Sequence, residues 1–299
     1  MRHAHHVFPF GTTNVPRCLP LGTVSNLHGR HGYHHVMQIF TVDAFTDSSF
    51  RGNPAGVCLL DAPVPDSWMR SLAAEMRHSE TAFLLREENG GPHSLRWFTP
   101  VVEVALCGHA TLSTAHVLYS TGAASGVIEF STRSGILSVV RDDTTGLISM
   151  DFPAKVLEKT DPPQGLIEAL GVEPVWVGRN EWDYLVEVGH EDAVRAVSPD
   201  FAALESVDAR GVIVTAGSAA EGADYVSRFF APRVGVPEDP VTGSAHCALG
   251  PYWTARLGGE TLTGYQCSER GGTVRTTVRG DRVELAGHAV TVLSGELHV

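Results

Sequence analysis

From residue 37 onward, short runs of alternating apolar and polar positions dominate the chain, and a helical period interrupts them in only a few places. Residues 39–45 and 55–60 read as strands across a Gly/Pro turn at Arg51-Gly52-Asn53-Pro54. After Pro65, Asp66 and Ser67 predict an N-capped amphipathic helix carrying Trp68, Leu72, Ala73 and Met76 at i, i+4, i+5 and i+8. His78-Ser79-Glu80 reads as a loop entering a strand that ends at Leu85. Strands are expected at 95–98, 101–106, 127–130, 136–140 and 147–152, with a helix from Gly108 to about Ser120. Asp161-Pro162-Pro163 marks the boundary between two lobes, because consecutive prolines continue neither ladder nor helix.

Beyond it the pattern gives a short helix at 166–170, strands at 175–177 and 184–188, and helical or loop material over 193–204. Strands follow at 212–215 and 224–230, then a helix whose Pro251 predicts a kink or an early end. The tail alternates as strands at 261–266, 273–278, 283–285 and 290–293. Many strands with one long helix per half indicate an α+β fold.

The two long helices sit in matching contexts. Phe98-Thr99-Pro100 answers Phe230-Ala231-Pro232, and Glu103 and Glu238 each stand five residues before a glycine, Gly108 and Gly243. In this register Cys107 is the counterpart of Thr242 and His109 of Ser244. A strand, a loop and a helix in the same order twice predict a pseudo-twofold protein with its site between the halves.

Charge and composition narrow the partners. The net charge of -12 over 299 residues opposes binding to nucleic acid or an anionic membrane. No apolar run reaches membrane-spanning length. Five scattered cysteines, with no C-x-x-C pair, indicate neither a disulfide framework nor structural zinc, and fit a cytoplasmic setting. Residues 1–36 differ from the rest: they hold no Asp or Glu, seven of the fifteen histidines, and no sustained period. Transit-peptide and metal-binding readings are open for such a tract, but a misassigned start or disordered leader is favoured because a strand begins directly after Met37.

Four polar residues stand where chemistry would be placed: Glu80 at a strand entry, His109 and Ser244 at matching helix starts, and Asp239 in the loop before the second helix. Singly, each has an ordinary role. Asp239 and Ser244 suit capping, His109 suits a structural hydrogen bond, and Glu80 suits a solvated charge. Together, two opposed helix starts would supply amide donors for a carboxylate, and a carboxylate side chain in the cleft could move a proton.

These residues also carry a family resemblance. Asp43-Ala44-Phe45-Thr46, Gly52-Asn53-Pro54-Ala55, Ser79-Glu80-Thr81, Phe98-Thr99-Pro100 with Glu103, Gly108-His109-Ala110-Thr111 and the run from Glu238 to Ala245 resemble the signature of the PhzF family of phenazine-biosynthesis isomerases, across residues 37–299. The resemblance implies the diaminopimelate-epimerase-like fold. Residues 37–157 would form one lobe, completed by a last strand from 288–299, and 158–287 the other.

By matching position, the resemblance implies that Glu80 is the acid/base. His109, Asp239 and Ser244 would be supporting site groups, with Gly108, Gly243 and Thr242 binding a small carboxylate substrate. It implies no cofactor, no metal, and a homodimer. Related epimerases use two thiols, whereas here Cys107 faces Thr242, whose hydroxyl is too weak an acid for that role. A racemase or a non-catalytic binding protein using the same cleft are the alternatives. Cys267 stands where the family pattern has glycine, so a reshaped loop is expected before Arg270-Gly271.

Overall fold

A computed structural model describes residues 36–87, 90–219 and 222–298. The expected leader, residues 1–36, lies outside the described residues except for Val36, which opens the first strand. The first half comprises β1 (Val36–Ala44), β2 (Asn53–Leu60), α1 (Asp66–Met76), β3 (Thr81–Leu85), β4 (His93–Phe98), β5 (Glu103–Val104), α2 (Gly108–Ser120), β6 (Val127–Thr132), β7 (Gly135–Arg141) and β8 (Ile148–Pro153). The second comprises β9 (Glu158–Lys159), α3 (Leu166–Leu170), β10 (Pro174–Arg179), β11 (Asp183–Val188), α4 (Glu191–Ala196), α5 (Phe201–Glu205), β12 (Gly211–Gly217) and β13 (Tyr225–Ala231). It continues with β14 (Val236–Asp239), α6 (Gly243–Leu257), β15 (Thr261–Gln266), β16 (Gly272–Arg279) and β17 (Arg282–Gly287) before β18 (Ala289–His298).

The ladders form one continuous ribbon that reads the same from either end. In the first half β2 runs parallel to β3, β3 antiparallel to β4, and β4 parallel to β6, with β5 antiparallel on the remaining length of the same β4 edge. In the second, β11 and β12 are parallel, β12 and β13 antiparallel, β13 and β15 parallel, and β14 takes the place of β5. The halves join where β8 pairs with β17, Met150 opposite Leu285. At the far ends, β18 pairs with β1 and β9 with β10.

Each half surrounds one helix, and the sequence of that helix shows why. Residues 109–115 and 117–119 of α2 are all buried, and the buried Thr111 and Thr114 hydroxyls donate back to the carbonyls of Cys107 and Ala110. In α6, Ala245 to Gly250, Tyr252 and Trp253 are buried. The repeat extends to side chains: Arg96 forms a two-pronged pair with Glu103, and Arg228 forms the same pair with Glu238.

Several local expectations need correction. Helix α6 runs uninterrupted through Pro251 to Leu257. The carbonyl that Pro251 leaves without its helical donor, that of Cys247, accepts the backbone N–H of Lys155 at 3.0 Å, so the lost bond is replaced from the connector. Helix α1 has Pro65 at its N-cap and no side-chain cap; Asp66 instead meets Arg96 at 2.9 Å. Strand β5 spans two residues rather than six, with Val101 and Val102 exposed, and the Val236–Asp239 stretch expected as loop pairs with β13.

Candidate active site

The starts of α2 and α6 meet at the pseudo-twofold axis. Their N-cap residues, Cys107 and Thr242, are both extended, and neither side chain caps its helix. A methyl group added at Gly108 would lie 3.8 Å from the Cα of Gly243. Glycine at both positions therefore keeps the gap between the helix starts open. The first amides of a helix have no intrahelical acceptor and carry its positive end, so two uncapped starts facing one gap form a receptor for an anion.

Glu80 reaches this seam because it is the residue before β3, and its carbonyl extends the ladder by accepting Gly56 N–H. Its Oε2 lies 3.4 Å from Nε2 of His109, the second residue of α2. Ser79 Oγ is also 3.4 Å from that nitrogen, and Cys107 Sγ is 3.6 Å from Nδ1. Burial raises the Glu80 pKa above the usual carboxylate range, opposed by hydrogen bonds from Ser79 and Cys107. Burial lowers that of His109, against the pull of Asp239. It raises Cys107 well above an ordinary thiol, and the charge of Glu80 adds to the effect.

Asp239 enters from the other half and is held by three residues at once. Asn53, at the start of β2, donates from Nδ2 to its Oδ1 at 2.8 Å and to the Val241 carbonyl at 2.8 Å. Thr242 donates its hydroxyl proton to Asp239 Oδ2 at 2.5 Å. Gln266 on β15 donates to the Asp239 carbonyl at 2.7 Å and accepts the Thr242 N–H at 2.9 Å. Burial raises the Asp239 pKa, while His109 and the Thr242 hydrogen bond pull it down. Asp239 does not cap α6, and Thr242, which holds the N-cap position, caps it with no side-chain hydrogen bond.

Ser244 sits one residue inside α6 but faces a different partner. Its Oγ accepts from Arg210 Nη2 at 3.0 Å. Arg210 is fixed in turn by a two-pronged pair with Asp183, which is 1% exposed. Once a hydroxyl accepts from a guanidinium, its own proton is free to donate elsewhere. The structure thus gathers Glu80, His109, Asp239 and Thr242 around Gly108 and Gly243, and attaches Ser244 through Arg210.

Asn53, Gln266, Arg210 and Asp183 were not singled out from the sequence. Asn53 lies between Gly52 and Pro54, the residues that mark this stretch as a turn. Asp183 and Arg210 are 27 positions apart and meet only because β11 and β12 run parallel. The loop at Cys267 needs no glycine: its N–H donates to Ser227 at 2.8 Å, and its φ is not among the positive ones. Arg270 bridges the halves beside it, donating to Asp43 and to the Gly52 carbonyl, both at 2.8 Å.

A family model described as phenazine biosynthesis-like protein matches residues 42–295. The chain belongs to this PhzF family. It is 48% identical over 262 residues to an uncharacterized isomerase of Halalkalibacterium halodurans, covering 87% of this chain and 97% of that one. A PhzF-family crystal structure from Enterococcus faecalis aligns with a TM-score of 0.83 at 39% identity, over 88% of this chain and all of that one. A probable proline racemase from Agrobacterium radiobacter shares the fold alone, with TM-score 0.59 and 14% identity over 87% and 92% of the two chains. This PhzF protein therefore has the α+β, diaminopimelate-epimerase-like architecture. Among its described residues no helix is long and apolar enough to cross a membrane.

Proposed function

We propose that this protein is an isomerase that shifts a proton on a small carboxylate-bearing substrate without a cofactor, with Glu80 as the base. The observation that carries the reading is the placement of Glu80, 3.4 Å from His109, beside two uncapped helix starts. The helix starts at Gly108 and Gly243 receive the substrate carboxylate. Glu80 removes a proton from an adjacent carbon, and the electron pair left behind spreads into the neighbouring unsaturated system. The protonated Glu80 then returns the proton to a second carbon, which restores the enzyme.

Burial supports this role by making the carboxylate a stronger base than one in water. His109, uncharged because burial disfavours its cation, can orient Glu80 without quenching it. Asp239 and Ser244 complete the polar wall. The isomerase name carried by the Halalkalibacterium relative supports the reaction class. A two-thiol racemase is disfavoured, because the partner position holds Thr242 with its hydroxyl already committed to Asp239.

The test is a proton-exchange screen by NMR, with cyclic and amino-acid-derived carboxylates in deuterated buffer and no added metal, nucleotide or pyridoxal phosphate. Deuterium entering a single carbon of the product, and not doing so with Glu80→Gln, is the expected result. Saturable binding across the screen with no exchange would identify a binding protein instead.

A further inference from the structure

The cluster at the start of α2 presents a nitrogen, a sulfur and an oxygen donor to one point. We propose that Glu80, Cys107 and His109 form a three-ligand site for a thiophilic divalent cation, zinc being the type, and that the cation acts as an inhibitor. Glu80 Oε2 and His109 Nε2 are 3.4 Å apart, and Cys107 Sγ is 4.0 Å from the same nitrogen. The three donor atoms lie within 4.8 Å of one another. Tetrahedral zinc, with bonds of about 2.0 Å to N and O and about 2.3 Å to S, holds its ligand atoms about 3.3–3.5 Å apart. Side-chain adjustments of less than about 1 Å would meet that geometry.

The frame is rigid enough to hold such a site. Cys107 and His109 are the N-cap and second residue of one buried helix, and Glu80 is anchored through its carbonyl to β2. A thiolate, a carboxylate and a neutral imidazole match the preference of a borderline-soft ion, and the two anions cancel its charge. Binding replaces the thiol proton with a metal–sulfur bond and releases one proton to solvent. Glu80 keeps 20% of its side chain exposed, which gives the ion a path from solvent and leaves a fourth position open to water or an anion.

Inhibition rests on the function proposed above: a carboxylate oxygen bound to a cation cannot also take a proton from substrate. The site itself does not depend on that reading. Binding and turnover can therefore fail separately.

Cobalt(II) is the probe, titrated into the full-length protein and followed by absorption. The expected result is one equivalent giving a sulfur-to-cobalt charge-transfer band in the near ultraviolet with tetrahedral visible bands, displaced by zinc. Histidines in residues 1–36 can bind cobalt but offer no thiolate apart from Cys18, so Cys18→Ser should leave the band intact. Cys107→Ser should abolish it. Glu80→Gln and His109→Ala, which keep the thiol, should weaken binding by about 10–100-fold or more, since even groups behind the ligands cost that much. A band that survives Cys107→Ser, binding unchanged in Glu80→Gln and His109→Ala, or binding with no charge-transfer band overturns the proposal.

Discussion

Gly108 and Gly243 approach until a methyl group on the first would touch the Cα of the second at 3.8 Å. That distance is ordinary van der Waals contact, so Gly108→Ala fits the folded protein while filling the gap where a carboxylate would sit. Little change in melting temperature is expected, together with at least a tenfold rise in KM for whichever carboxylate the exchange screen identifies. Unchanged KM would place the ligand elsewhere.

Glu80→Gln keeps the shape of the side chain and removes the base. Turnover measured by deuterium incorporation should fall by about 10²–10⁴-fold, the range of general acid-base catalysis. Ligand affinity measured by calorimetry should stay within a few-fold, because the helix starts are untouched. Near-normal turnover would exclude Glu80 as the base.

Asp183 and Arg210 make a sharper test of Ser244. Asp183 is almost wholly buried, so Arg210→Met leaves a charge without its partner and should cost about 3 kcal/mol in urea unfolding. Adding Asp183→Asn should recover much of that loss. Affinity for the carboxylate should not recover in the double variant, since Ser244 still lacks the donor that orients it. Recovery of both would make the pair purely structural.

His246 predicts how the protein responds to acid. It is fully buried beside the Tyr225 hydroxyl, 2.9 Å from Nδ1, and burial pushes its pKa down from 6.5 to about 3. Between those values the unfolded chain binds a proton that the folded protein refuses. Stability should therefore fall as pH drops from about 6.5 toward 3, with a slope from this group approaching about 1.4 kcal/mol per pH unit. His246→Gln should flatten the acid limb of stability measured by denaturant titration. A limb of unchanged slope would remove His246 from the account.

How much of this was legible in the sequence varied with the physics involved. Helix α2 was legible as a helical pattern from Gly108 to about Ser120, and the repeat was legible because Glu103 and Glu238 keep their spacing to a glycine. Pro251 does not end α6, since the acceptor it frees is satisfied by Lys155, some hundred residues earlier, and no local rule reports a distant donor. Strand β14 was hidden by Pro237 and its brevity; it exists because Arg228 and Glu238 clamp it to β13. The Arg210–Ser244 and Asn53–Asp239 bonds join residues 34 and 186 positions apart, separations that no local pattern spans.

The pairing of β18 with β1 bears on how the protein is made. Strand β1 receives this neighbour only after all of the intervening chain has been synthesised, Asp43 opposite Val290. At translation speeds of about 5–20 residues per second, β1 waits with one edge open for about 10 seconds or longer. The first half therefore cannot finish during synthesis as an independent unit would, and the nascent chain exposes an unpaired strand edge throughout that interval. Chaperone dependence should rise when β18 is removed.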